Sequence, residues 1–253
     1  RVKESVAWAR EHCWSAPGGY GTNPHPAEVS GTHLLAETAL GYLADERDAT
    51  RPFFLWLSFP DPHTPYQAPE PYASLYDPAD VPLPPADDLA TKPERQRVAH
   101  AMDAVDRTPP EHLQAMRAIH YGMTNAIDDA VARVLASLAE LGLADDTLII
   151  FTADHGDSMG THGLAQKQNA FYDSITRVPL MLAGPGVGPQ RSAELTSLID
   201  LMPTLLELAG LDAPAGVEGR SLAPLLRGQP HTPAECIVIE SGSPGEPPTL
   251  AEI

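Results

Sequence analysis

The sequence predicts an α/β fold, a mostly parallel sheet sandwiched between helices. Three observations carry this. "RPFFLWLSFPDPHTPY" holds an apolar run from Phe53 to Phe59, interrupted only by Ser58 and bracketed by Pro52 and Pro60. A run apolar on both faces is the pattern of a strand covered on both sides. "HLQAMRAIHYGMTNAIDDAVARVLASLAELGL" places apolar residues at 113, 116, 119, 123, 127, 131, 134, 135, 138 and 141. Those steps of three and four gather on one helical face, and Gly142 stands where a helix stops. Leu148 to Phe151 follows as a second strand. Strand, long helix and strand in succession is the βαβ order that builds parallel sheets.

The remaining elements fall around these three. Residues 60–93 are too dense in proline to be helical, and residues 94–110 are polar with no clear period. After the strand at 148–151 comes a polar loop, then "VPLMLAG" as a third strand. "SLIDLMPTLLELAG" reads as a short helix ending at Gly210, and "CIVIE" as a last strand. We expect residues 1–235 to form part of one α/β domain and residues 236–253 to begin a smaller subdomain. The opening "RVKESVAWAREHC" has neither an initiator Met nor the apolar core of a signal peptide, and it reads as the middle of a helix. The sequence is therefore expected to be a piece of a longer protein, and localisation is left unassigned.

Composition excludes some functions. Over 253 residues, 16 Lys and Arg face 34 Asp and Glu, for a formal charge of −18. Such a balance repels nucleic acid and anionic membranes. No stretch approaches the roughly 18–20 apolar residues of a spanning helix. If the substrate is an anion, positive charge must be supplied locally. The two cysteines, Cys13 and Cys236, do not make a disulfide framework.

The chemistry concentrates in "TLIIFTADHGDSMGTHGLAQK", residues 147–167, where an apolar strand runs into carboxylates, imidazoles and an amine. In open α/β sheets, ligands gather beyond the carboxyl ends of the strands. Asp154 and His155 stand there side by side, a donor pair suited to a divalent cation. Gly156 would permit a tight turn beside the ion. Asp157 reads as a solvated or capping residue. A second candidate is His63 in "DPHTP", whose flanking prolines restrict its backbone. An imidazole so held suits an anionic oxygen or a leaving group. On local pattern alone, the alternatives are a polar turn, a loop histidine and a surface lysine.

Taken together and in order, these segments resemble the sulfatase family of the alkaline-phosphatase superfamily. "RPFFLWLSFPDPHTPYQAPEPYASLY" resembles its strand with Pro-His-x-Pro. "AIDDAVARVLASLAELGLADDTLIIFTADHGD" resembles its long helix, strand and metal-ligand pair. "GTHGLAQKQNAFYDSITRVPLMLAGPG" resembles the loop with its active-site lysine, and "TSLIDLMPTLLELAGLDAPAGVEGRSLAPLL" its Asp-x-x-Pro-Thr helix and Gly-x-Ser-Leu segment. The resemblance implies an alkaline-phosphatase/sulfatase-like fold, incomplete here. It implies that Asp154 and His155 ligate a divalent cation, calcium first, with magnesium or manganese next. Lys167 would bind the anionic oxygens of the substrate, and His63 would contact the ester and aid the leaving group. His162, in Gly-x-His-Gly, would lie near the substrate.

The family's acidic metal pair and its Cys-x-Pro-x-Arg or Ser-x-Pro-x-Arg do not occur. There the Cys or Ser becomes formylglycine, whose hydrate attacks sulfur. "SAPGG", Ser15 to Gly19, has Gly in place of Arg, and neither Cys13 nor Cys236 has the proline. The formylglycine nucleophile is therefore expected upstream of this chain, and this chain alone is expected to be inactive. The implied activity of the intact protein is metal-dependent hydrolysis of a small-molecule or glycan sulfate ester. One alternative is a phosphonate monoester or phosphodiester hydrolase of the same superfamily. Another, from a different class, is a non-catalytic binding or structural chain. His12, Trp14, Tyr20 and His25 are candidates to line the pocket for the alcohol part.

Overall fold

The computed structural model describes residues 19–85, 87–103, 105–167, 170–241 and 249–252. His12, Cys13, Trp14, Ser15 and the expected N-terminal helix lie outside the described residues. The chain divides into two compact units, one of Arg1–Ala144 with Asp157–Gln168, the other of Asp145–Gly156 with Asn169–Ile253.

In the first unit, β1 (Tyr20–Asn23) pairs in parallel with β2 (Tyr66–Pro69), Tyr20 opposite Tyr66. Between them lies α1 (Gly31–Gly41), opened by Ser30, whose hydroxyl accepts the His33 N–H. It buries Thr32, Ala36 and Ala39. Next come α2 (Glu94–Asp103) and the long α3 (Pro110–Glu140). Pro110 opens α3, at a position where a missing N–H costs nothing. The expected apolar face of α3 forms: Met116, Ile119 and Met123 pack with Tyr66, Ala68 and Met159. Each such side chain contributes about 1.5–3 kcal/mol on full burial. Farther along, Leu135 and Leu141 are exposed.

The run Phe53–Phe59 is extended but joins no ladder among the described residues. Its side chains alternate: Phe53, Leu55, Leu57 and Phe59 are half-buried, while Phe54 and Trp56 are 72% and 76% exposed. The expected central strand thus has one face covered and the other bare, because no described neighbour lies on that side.

The second unit holds β3 (Ile149–Thr152), the four-residue turn α4 (Asp173–Thr176), β4 (Leu180–Ala183), α5 (Leu201–Leu208), α6 (Ala223–Leu226), β5 (Val238–Ser241) and β6 (Thr249–Glu252). β3 pairs with β4, and β5 with β6, both antiparallel. The α/β architecture is as expected, but β4 returns beside β3 in the opposite direction. A parallel return needs a crossover, usually helical, and residues 153–179 contain only α4 as α-helix among those described.

The Asp-x-x-Pro-Thr segment proves to be a structural knot. Asp200 accepts from the N–H groups of Ser197 at 2.9 Å and Arg220 at 2.8 Å. The Thr204 hydroxyl donates to Asp200 O at 2.5 Å and accepts from Leu222 N at 2.8 Å. Buried polar groups are tolerated only when bonded in this way.

Candidate active site

Asp154 and His155 follow the end of β3 directly, where the strand releases the chain. The Asp154 side chain is 89% exposed, and its Oδ1 accepts the His155 N–H at 3.0 Å. His155 Nδ1 lies 2.7 Å from Gly156 O. A carbonyl can only accept, so Nδ1 carries the proton and the lone pair of the neutral ring sits on Nε2. Nε2 stands 3.7 Å from Asp154 Oδ2. Two donors each about 2.0–2.6 Å from a shared ion fall at such a separation when they take neighbouring coordination positions. The pair therefore fits part of a cation's shell. Among the described residues, no group of three or more His, Cys, Asp or Glu is placed to complete one.

Gly156 also meets a neighbouring stretch of backbone. Its N–H donates to Ile175 O at 2.7 Å, and a Cβ there would meet Ser174 O at 2.0 Å. Close approach to a neighbouring backbone excludes a side chain there.

His63, His162 and Lys167 belong to the first unit, whereas Asp154 and His155 belong to the second. His63 is exposed, its N–H donating to Pro60 O at 3.1 Å and its Nδ1 to Thr64 O at 2.7 Å. Its loop is anchored from below: the Thr32 hydroxyl on α1 donates to the Asp61 carboxylate. Burial pushes the Asp61 carboxyl above the usual carboxylate range. Just past His63, the buried Tyr66 donates its hydroxyl to Asp157 Oδ2 at 2.7 Å. Asp157 Oδ1 also accepts the Met159 N–H at 2.9 Å. Asp157 thus caps its own loop and ties it to the His63 segment. Burial first, and the adjacent Asp157 carboxylate second, push the Tyr66 phenol well above its ordinary range.

The loop of residues 158–167 is closed on itself by Ser158 N–H to Gln166 O at 3.0 Å and Gly160 N–H to Leu164 O at 2.9 Å. Leu164 and Ala165 are buried, and Lys167 emerges exposed at its end. Arg117 of α3 braces the loop with an Nη1–H bond to Met159 O at 2.8 Å. One turn along, the His120 ring meets the Tyr66 ring edge-on at 5.6 Å, and burial lowers the basicity of that imidazole. His162 Nδ1 is 2.9 Å from Asp87 Oδ2, which also holds Lys92 Nζ at 2.8 Å.

Several of these residues escaped the sequence reading. Tyr66 had a usable signal, an aromatic directly after Pro-His-Thr-Pro. Asp87 had none, since it lies in a proline-dense stretch 75 positions from its histidine. Tyr20, a candidate for the alcohol pocket, packs at the edge of the core with its ring 6.4 Å from that of His112. His25 N–H donates to Asn23 Oδ1 at 3.0 Å.

The family profile described as Sulfatase matches residues 13–211. Over 238 residues the chain is 36% identical to the multifunctional alkaline phosphatase superfamily protein PehA of Trinickia caryophylli, covering 87% of this chain and 46% of that protein. It is 34% identical over 218 residues to an arylsulfatase of Clostridium perfringens, covering 84% of this chain and 44% of the relative. Among solved structures, a phosphonate monoester hydrolase from Silicibacter pomeroyi superposes with a TM-score of 0.76 at 30% identity, covering 98% of this chain and 55% of that one. The chain spans about half the length of the curated relatives it matches. The profile match over most of its length, together with an α/β fold shared with these hydrolases, shows that the chain belongs to the sulfatase family of the alkaline-phosphatase superfamily.

Proposed function

We propose that the enzyme carrying this chain hydrolyses a sulfate ester, of a small molecule or a glycan, and that this chain supplies one part of its site. The observation that carries the reading is the Asp154–His155 pair at the end of β3, with Nε2 and Oδ2 3.7 Å apart, in a chain of this family. Asp154 and His155 would hold a divalent cation, calcium first, with magnesium or manganese next. When bound, that cation supplies positive charge for the ester's anionic oxygens. Lys167 adds a second positive charge at the end of the self-closed loop of residues 158–167, a contribution to holding those oxygens. His63 donates to the departing alcohol oxygen, with its backbone fixed by the Thr32–Asp61 link. Formylglycine, the nucleophile of the family, would be supplied by the same enzyme. These local cations offset a chain whose formal charge is −18, because screening confines fields to about 8 Å in physiological salt.

A second reading is phosphonate monoester hydrolysis, favoured by the likeness to a hydrolase of that kind. Parallel assays of aryl sulfate and aryl phosphonate esters decide between them. The sulfatase reading predicts the higher kcat/KM on the sulfate. It also predicts a loss of about a hundredfold or more in Lys167→Ala and His63→Ala, as for removal of an oxyanion donor or a general acid. Preferential turnover of the phosphonate would replace the reading, and unchanged turnover in either variant would remove that residue from the mechanism.

A further inference from the structure

Within the second unit, the chain after β4 lies against α6. Gly188 N–H donates to Leu226 O at 3.0 Å, and Gln190 Nε2 to Leu225 O at 2.8 Å. The same stretch meets the residues after α6 through side chains: His231 Nε2 lies 2.7 Å from Glu194 Oε2. Residues 229–234 form a strap here. Gln229 N–H to Pro224 O at 2.8 Å fixes its start, and Arg220 Nη1 reaches Thr232 O at the long distance of 3.4 Å. Pro230 and Pro233 restrict the backbone on either side of His231 and Thr232. A cleft of about 270 Å³ runs along the strap, with Leu195, Leu222, Leu225 and Pro230 among its apolar lining and Arg220 and His231 also at its wall.

Both ring nitrogens of His231 face acceptors. Nδ1 lies 3.1 Å from Gln229 O, opposite the Nε2 contact with Glu194. A carbonyl and an ionised carboxylate can only accept, and a neutral imidazole carries one N–H. Either neutral tautomer would therefore turn a lone pair on an acceptor, and only the imidazolium satisfies both bonds. We propose that His231 is a pH-sensitive clasp: as imidazolium it closes residues 229–234 along the cleft, and on losing its proton it releases them. The charged groups that face the ring are Glu194 and Arg220. The Glu194 bond first, and the Gln229 carbonyl second, raise the basicity of His231, with burial and the Arg220 charge opposing them. The sign follows from linkage. The ring binds its proton more tightly in the closed strap, so closure is fully favoured below the ordinary value of about 6.5 and weakens as pH rises through the raised value. Release lets water reach the apolar lining of the cleft.

The test is hydrogen exchange read by mass spectrometry on the enzyme that carries this chain. Residues 163–253 contain no other histidine, so exchange at the imidazole C2–H in the peptide holding His231 gives the titration midpoint of that ring. The midpoint is expected above about 6.5, and Glu194→Gln is expected to lower it toward that value. Amide exchange of residues 229–235, corrected for the intrinsic effect of pH, is expected to accelerate through the same midpoint while that of α3 stays constant. In His231→Ala the strap is expected to exchange at the faster, released rate at every pH. A wild-type midpoint at or below about 6.5 overturns the proposal. So does strap exchange that does not follow the titration of the ring, or a midpoint that Glu194→Gln leaves in place. Neither readout needs turnover, so failure of the sulfate-ester reading remains distinguishable from failure of this one.

Discussion

At Asp61 a half-buried carboxyl sits directly beside a candidate catalytic loop, two residues before His63. It binds its proton more tightly folded than unfolded, through burial, with the Thr32 hydroxyl opposing this in part. Its protonated form therefore favours the fold below the unfolded value of about 3.9, and that contribution is lost as pH rises through the raised folded value. His120 acts with the opposite sign in acid, since burial depresses its basicity and stability falls as pH drops below about 6.5. Asp61→Asn keeps an oxygen for Thr32 and removes the charge. Urea midpoints of this variant, compared with wild type between about pH 4 and pH 7, are expected to lose the decline on the alkaline side while keeping that on the acid side. An unchanged profile would contradict the assignment. Tyr66 and Asp157 belong to the same scale: truncating the phenol would leave Oδ2 of a partly buried carboxylate without its Tyr66 donor, a loss of about 1–3 kcal/mol.

Among the elements, α3 was the most legible, because thirty-one residues give several turns over which a stripe can repeat. Met116, Ile119 and Met123 were expected inside and are inside. Leu135 and Leu141 were assigned to the same stripe and are exposed, since periodicity locates a face but does not say where its cover stops. α1 was not read at all. It buries Thr32, Ala36 and Ala39, small side chains that let backbones approach closely and leave almost no hydrophobic pattern. The direction of β4 was illegible for another reason, because "VPLMLAG" fits a strand equally well in either sense. α3 also yields a prediction against propensity. At Gly122 a Cβ would meet Tyr72 O at 2.1 Å, so Gly122→Ala is expected to destabilise by about 1–3 kcal/mol, as overpacking does. The intrinsic preference of about 1 kcal/mol for Ala in a helix opposes this without offsetting it. A urea midpoint at or above wild type would contradict the close approach.

Across the whole molecule, the sequence marked candidate residues more plainly than it marked strand direction or cover. Asp154 and His155 stand where β3 ends and His63 where the apolar run Phe53–Phe59 gives out, so the change from oil to polar residues marked them. Asp87 reaches His162 only through folding, across 75 positions, and no local pattern foretells such a meeting. Phe54 and Trp56 show the converse, a sequence that asks for cover on a face the described residues leave bare. What unites the candidate residues is a proposed task, namely holding a cation and an anionic ester together, and the cation is the part open to direct titration. The most direct measurement takes the enzyme that carries this chain, strips it with chelator and restores aryl sulfate turnover by adding calcium, for wild type and for Asp154→Asn. The account predicts that half-restoration in Asp154→Asn requires at least about tenfold more cation, the scale on which metal-site substitutions act. Restoration of both proteins at the same cation concentration would contradict it.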